Sequence, residues 1–154
     1  MLTNFLRLWH LTWLGFTPRV LGSVSSSEPL SRFLSLSNHL SATGAHFRAF
    51  LPSPKHHTTS LYRTFGMTDE LTWAMARLVL GGRESGTLYG KADVTAEQVR
   101  RAKLRLKRGW IPPRHVDICG WHKTSDKVAD KGAWKVLATV LADSAVVTRC
   151  QPLP

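Results

Sequence analysis

The stretch Asp93–His115, DVTAEQVRRAKLRLKRGWIPPRH, decides how the rest of the chain is read. Thr95 and Gln98 stand in capping-box order, so a hydroxyl and an amide can satisfy the open N–H groups of a first helical turn. Val94 and Val99 fall at the positions of a hydrophobic staple. Val99, Ala102 and Leu106 then make a narrow apolar stripe at helical spacing. Gly109 supplies a left-handed stop and Pro112–Pro113 forbid continuation. The stretch therefore predicts one helix that packs a narrow side on a small core. Arg100, Arg101, Lys103, Arg105, Lys107 and Arg108 occupy most of its remaining circumference.

Those cations give the strongest functional signal in the sequence. As a helix surface they repel one another at Arg101–Arg105 and Lys103–Lys107, and like charges at i,i+4 cost helix stability. A solvated face kept for solubility would normally interleave acids. The run points instead to an anionic partner, with Arg100, Arg101, Lys103, Arg105, Lys107, Arg108 and Arg114 on phosphates and Trp110 stacking on a base or sugar.

Working outward, the whole chain of 154 residues has a formal net charge of +11. Residues 1–66 carry six Lys/Arg and a single acid, Glu28, a net of +5. Residues 67–154 carry fifteen and nine, a net of +6. Such an excess favours nucleic acid or an acidic membrane surface. Cys119 and Cys150 are too few for a disulfide-built secreted domain, and two thiols are expected. No apolar run reaches the roughly 18–20 residues of a membrane span; Asn4, Arg7 and His10 interrupt the best attempt, Leu2–Phe16.

Residues 1–66 read as an extended, largely irregular N-terminal arm, rich in serine and broken by Pro18, Pro29, Pro52 and Pro54. Leu2, Phe5, Leu6, Trp9 and Trp13 can share one face of a first helix, with Arg7 and His10 at its edges. This is the composition of a mitochondrial or plastid transit peptide. A secretory signal would need a basic start, which is missing; an uncleaved tail that binds a partner is the other alternative.

Residues 67–148 read as a small helical domain. Thr68 caps a helix with Asp69 and Glu70 in its first turn and Leu71, Ala74, Met75, Leu78 and Val79 as its main stripe. Residues 81–93 read as a loop. Its Gly90–Lys91 resembles a phosphate loop, but Ser85 and Ala92 replace the first glycine and the metal-holding hydroxyl. A last helix is expected from Thr124 or Ser125, with Ala129, Ala133, Val136, Leu137, Val140 and Leu141 facing inward. Residues 149–154 form a tail. The expected fold is thus all-α: a three-helix domain behind a long arm.

No catalytic signature accompanies this plan. His115, Cys119 and His122, with Asp117 or Cys150, could supply metal ligands, but H-x3-C-x2-H is not a zinc spacing and the paired CxxC knuckle is absent. Cys119 has histidines nearby yet no elbow to present it as a nucleophile. No cofactor, metal or small-molecule substrate is expected. Leu61–Tyr62–Arg63 spells the tripeptide of the LYR family of small basic mitochondrial proteins, where it opens a long helix. The chain resembles that family in these three residues alone, because Gly66 and the cap at Thr68 would end such a helix at once. Together these features suggest a non-catalytic, basic structural subunit of an organellar assembly, most readily an RNA-contacting mitochondrial ribosomal protein. Its partners would be RNA and neighbouring protein subunits, with acidic lipid contact possible. The alternative is an accessory subunit of a respiratory-chain or ATP-synthase complex.

Overall fold

A computed structural model of the chain describes residues 22–80, 87–109 and 114–150. Its framework is a six-stranded antiparallel sheet. The strands are β1 (Pro29–Leu34), β2 (Thr59–Arg63), β3 (Gly90–Thr95), β4 (Arg105–Arg108), β5 (His115–Cys119) and β6 (Val146–Arg149), in the order β4-β5-β2-β1-β3-β6. Three α-helices accompany them: α1 (Asp69–Leu80), α2 (Ala96–Arg101) and α3 (Lys127–Ser144). The expected all-α, three-helix class is therefore wrong; the fold mixes α and β.

The decisive correction lies in the basic stretch itself. The capping box forms as expected: Thr95 Oγ1 accepts from the Gln98 N–H, and Gln98 Oε1 accepts from the Thr95 N–H. Val94 and Val99 are both buried. The helix nevertheless ends after six residues, at Arg101. Ala102 caps it, and Lys103 takes a left-handed φ of 60°. The chain then runs on as β4, paired with β5 through Arg105↔Cys119, Leu106↔Ile118, Lys107↔Asp117 and Arg108↔Val116. The reason is the alternation Lys103-Leu104-Arg105-Leu106-Lys107, a period of two in which Leu106 turns to the core and Arg105 and Lys107 to the other face. Leaving the helix also relieves the like-charge repulsion across Arg101–Arg105 and Lys103–Lys107.

Gly109 is no helix stop either. It begins the β4–β5 connection, where its N–H donates to the His115 carbonyl at 2.9 Å and a Cβ would fall 2.3 Å from the His115 ring nitrogen. Only glycine lets strand and ring lie so close. Trp110 and Pro112–Pro113 lie outside the described residues.

The second correction concerns the arm. Pro29–Leu34 and Thr59–Arg63 form β1 and β2, the two central strands, so residues 29–63 are the middle of the sheet and not an appendage. Alternation explains it: Leu30 and Leu34 point to one face, Ser31 and Phe33 to the other. The tripeptide Leu61–Tyr62–Arg63 lies in β2. The transit-like residues 1–21 and the tail residues 151–154 lie outside the described residues, and β6 reaches Arg149.

One sheet face carries the larger core. Leu30, Leu34, Leu61, Val94 and Ile118 meet Phe50, the buried side of α2, and Ala138, Leu141 and Ala142 of α3. The opposite face holds a smaller cluster, where Phe33 and Tyr62 stack at 5.1 Å beneath Met75, Ala76 and Leu80 of α1. Helix α3 begins two or three residues later than expected, with Asp126 accepting from the Val128 and Ala129 N–H groups. Its inward face is also rotated. Asp130, Ala138, Leu141 and Ala142 are buried, whereas Val128, Val136 and Val140 are 80%, 64% and 50% exposed. None of the described helices is long and apolar enough to cross a membrane.

Candidate nucleic-acid interface

The α2–turn–β4 unit gathers six cations within nine residues of sequence. Arg100, Arg101, Lys103, Arg105, Lys107 and Arg108 are all exposed on it. They do not behave alike. Arg101 pairs with Glu97 one turn earlier in α2. Lys103 marks the turn. Arg105 and Lys107, two residues apart on β4, project from the same sheet face at a spacing of roughly 6.6 Å along the strand. Among the described residues, Lys103, Arg105 and Lys107 have no carboxylate within ion-pair distance. Among the described residues β4 ends the sheet, and cations on such an edge guard against pairing with another strand.

Arg100 and Arg108 face the segment that precedes β1. Arg100 donates to Ser26 Oγ and to the Val24 carbonyl, both at 3.1 Å, and Arg108 donates to the Gly22 carbonyl at 3.2 Å. The Glu97 N–H donates to the Ser26 carbonyl at 2.9 Å. The serine-rich run 23–27 is thereby held along the rim of the basic unit.

Arg114 is not on that surface. It is 4% exposed, and its Nη1 donates to the Arg63 and Phe65 carbonyls at 3.0 Å each. In return its own carbonyl accepts from the Arg63 N–H. Burial lowers its pKa, the neighbouring Arg63 guanidinium lowers it further, and Glu28 opposes both. Arg63 is buried as well and clamps Glu28 in a two-point pair, at 2.5 Å from Nε and 2.8 Å from Nη2. Two interior guanidinium groups thus lie near one carboxylate, which Arg63 bonds. Sequence reasoning passed over this group, although a signal existed: Glu28 is the single acid in residues 1–66. An isolated acid in so basic a stretch is the residue to suspect of an interior pairing.

Beside the group opens a cleft of about 410 Å³ lined by Gly22, Ser23, Ser25, Ser27, Glu28 and Phe65. Phe65, likewise unmarked in the sequence, is 40% exposed on its wall.

The other sequence candidates are dispersed. His115 and Cys119 lie at opposite ends of β5. His115 packs on Tyr62 at 5.5 Å and sits 3.4 Å from Asp117. His122 Nδ1 meets Asp130 Oδ1 at 3.0 Å on the loop before α3. Among the described residues no three His, Cys, Asp or Glu side chains gather as a metal site. Cys119 and Cys150 are free thiols. Gly90 and Lys91 belong to β3, where Lys91 pairs with Asp93. Compared with protein-family models, with characterised proteins and with solved structures, the chain gives no match.

Proposed function

We propose that the chain is a non-catalytic basic subunit of an organellar assembly that contacts RNA through the α2–turn–β4 unit, most readily in a mitochondrial ribosome. The observation that carries this reading is the display of Lys103, Arg105 and Lys107 on a turn and an edge strand, without a carboxylate partner among the described residues. Cations so placed gain most from phosphates, because each contact releases condensed counterions. Their contacts are indifferent to sequence, so the unit positions the protein on an RNA backbone.

The test uses Arg101, Lys103, Arg105 and Lys107 replaced together by Gln. None of the four holds the N-terminal segment, so the fold should survive. Affinity for RNA should fall for all sequences alike, and the slope of log K against log salt should flatten by about 0.7–0.9 per lost contact. An unchanged slope rejects phosphate contact by this surface.

The second reading, an accessory subunit of a respiratory-chain or ATP-synthase complex, is favoured by the outward valines of α3, an apolar stripe suited to protein contact. Sedimentation of the native protein separates the two. Ribonuclease-sensitive migration at ribosomal size supports the first, and co-migration with an inner-membrane complex after ribonuclease treatment supports the second. The mitochondrial address itself is tested by fusing residues 1–66 to a reporter and locating it.

A further inference from the structure

The α2–β4 surface explains attraction to a phosphate chain but supplies nothing that distinguishes single strands from duplexes. The cleft at its rim does. We propose that the 410 Å³ cleft is a nucleobase pocket that takes one unstacked base of a single-stranded RNA, with Phe65 as the stacking ring; this rests on the RNA-contacting reading above.

Three features carry the assignment. The first is chemistry and size. The volume lies within the roughly 300–1,000 Å³ of small-molecule sites, which are typically an apolar wall with a few placed polar groups. Here one wall is an aromatic ring. The others are the Ser23, Ser25 and Ser27 side of the N-terminal segment, whose hydroxyl and backbone groups suit the polar edge of a base, and Glu28, whose carboxylate is already held by Arg63.

The second is rigidity. The Phe65 carbonyl is held by buried Arg114 at 3.0 Å, and the next residue, Gly66, turns the chain at a φ of 71°. Glu28 is fixed by Arg63 and accepts from the Ser25 N–H at 3.3 Å. The backbone that carries the ring and the carboxylate beside it are thus both held before any ligand arrives, which lowers the ordering cost of binding. Arg114 acts here as a positioning residue: it touches the Phe65 backbone and not the ligand.

The third is continuity with the phosphate-contacting surface. Gly22 lines the cleft and accepts from Arg108, and Arg100 holds Val24 and Ser26 of the same segment. The segment that lines the cleft is thereby the one that Arg108 at the end of β4 and Arg100 of α2 hold, so a strand lying on that surface would meet it. Duplex RNA keeps its bases stacked and cannot offer one to it.

The experiment combines nuclear magnetic resonance on the full chain with binding of short single-stranded homopolymers and a duplex of equal charge. The probes are the four ribonucleoside 5′-monophosphates, with inorganic pyrophosphate as a charge control. At least one monophosphate should shift the amide signals of Ser25, Ser27, Glu28 and Phe65, and pyrophosphate should not. Phe65→Leu should weaken single-strand binding roughly five- to a hundred-and-sixtyfold, the range of base–aromatic stacking, with duplex binding and the salt slope unchanged. Phe65→Tyr keeps the ring and should bind like the parent, and both variants should melt near it because the ring is 40% exposed. Equal single-strand affinity in Phe65→Leu, or identical shifts with pyrophosphate, overturns the base pocket and leaves the RNA reading standing on the parent's salt slope. Monophosphate binding in the cleft by a parent protein that binds no RNA overturns both and leaves a free-nucleotide site.

Discussion

Buried charge sets the sharpest expectations at the scale of single residues. Glu28 and Arg63 form an ion pair taken out of water, and removing one partner of such a pair leaves an uncompensated charge. Glu28→Gln should therefore cost about 3–5 kcal/mol in urea unfolding, and Arg63→Met in the same background should recover part of it, because the orphaned charge is gone. His115 gives a pH signature. Burial beside Tyr62 lowers its pKa, the Asp117 carboxylate opposes this, and Arg32 adds to the lowering. A base whose folded pKa lies below its unfolded value, about 6.5, stays neutral to a lower pH in the fold than in the unfolded chain. Stability is then full above pH 6.5 and is lost as pH falls through the folded pKa. His115→Phe, which keeps a ring against Tyr62, should lose less stability than the parent between pH 7 and pH 5. Asp130 works with the opposite charge. Its carboxylate accepts from the Thr124 N–H, which lowers its pKa; burial opposes, and the Thr124 hydroxyl and His122 add to the lowering. That contribution is present above the unfolded carboxyl pKa and is lost as pH falls through the lower folded value. Asp130→Asn should accordingly show a smaller stability difference between pH 7 and pH 3 than the parent.

Elements show which signals in the sequence were local and which were not. The cap of α2 is local: Thr95 and Gln98 are three residues apart, and their reciprocal bonds form as the spacing implies. Thr95→Ala should lower stability by about 1 kcal/mol, read as a shift in the urea midpoint at constant slope. Where the helix stops was harder to read. Val99, Ala102 and Leu106 fit a helical stripe and Leu104 and Leu106 fit a strand, so periodicity supports both. The contest is decided by Val116 and Ile118 of β5, eight and twelve residues beyond their partners Arg108 and Leu106, which offer β4 a neighbour. Strand pairing at such a distance leaves no mark within a window of one element. The same limit hid β1 and β2: five or six residues flanked by serines and prolines look irregular until their partners are supplied. For α3 the helix was legible and its orientation was not, because valines and alanines populate most of its circumference. The core chose the alanines, which permit close approach to the sheet, and left Val128, Val136 and Val140 outside. The candidate interface followed this pattern. Its exposed cations could be named from composition, whereas Arg114, chemically identical, turned inward, and Phe65 acquired a role only once the serine segment folded beside it.

For the molecule as a whole, the order β4-β5-β2-β1-β3-β6 makes the chain a single cooperative unit. Strands β1 and β2 pair with each other, β1 also pairs with β3, and β2 also pairs with β5. Without them the sheet falls into two separate pairs, β3–β6 and β4–β5, and isolated two-stranded pairs are at best marginal in water. Leu30, Leu34, Phe50 and Leu61 leave the larger core with them, and Phe33 and Tyr62 leave the smaller one. Cleavage at the boundary a transit-like arm would suggest, before Met67, is therefore incompatible with the fold. A chain beginning at Met67 should lack the dispersed amide spectrum and sigmoidal urea transition of the parent. Removing residues 1–21 keeps Glu28, the serine segment and every strand among the described residues, so that shorter protein should unfold cooperatively, with its amide dispersion intact. A cooperative fold from Met67 onward would refute the central placement of β1 and β2. A parent-like transition for the chain starting at Gly22 means a targeting segment can be shed without disturbing the sheet, the Arg63–Glu28 pair or the basic surface they support.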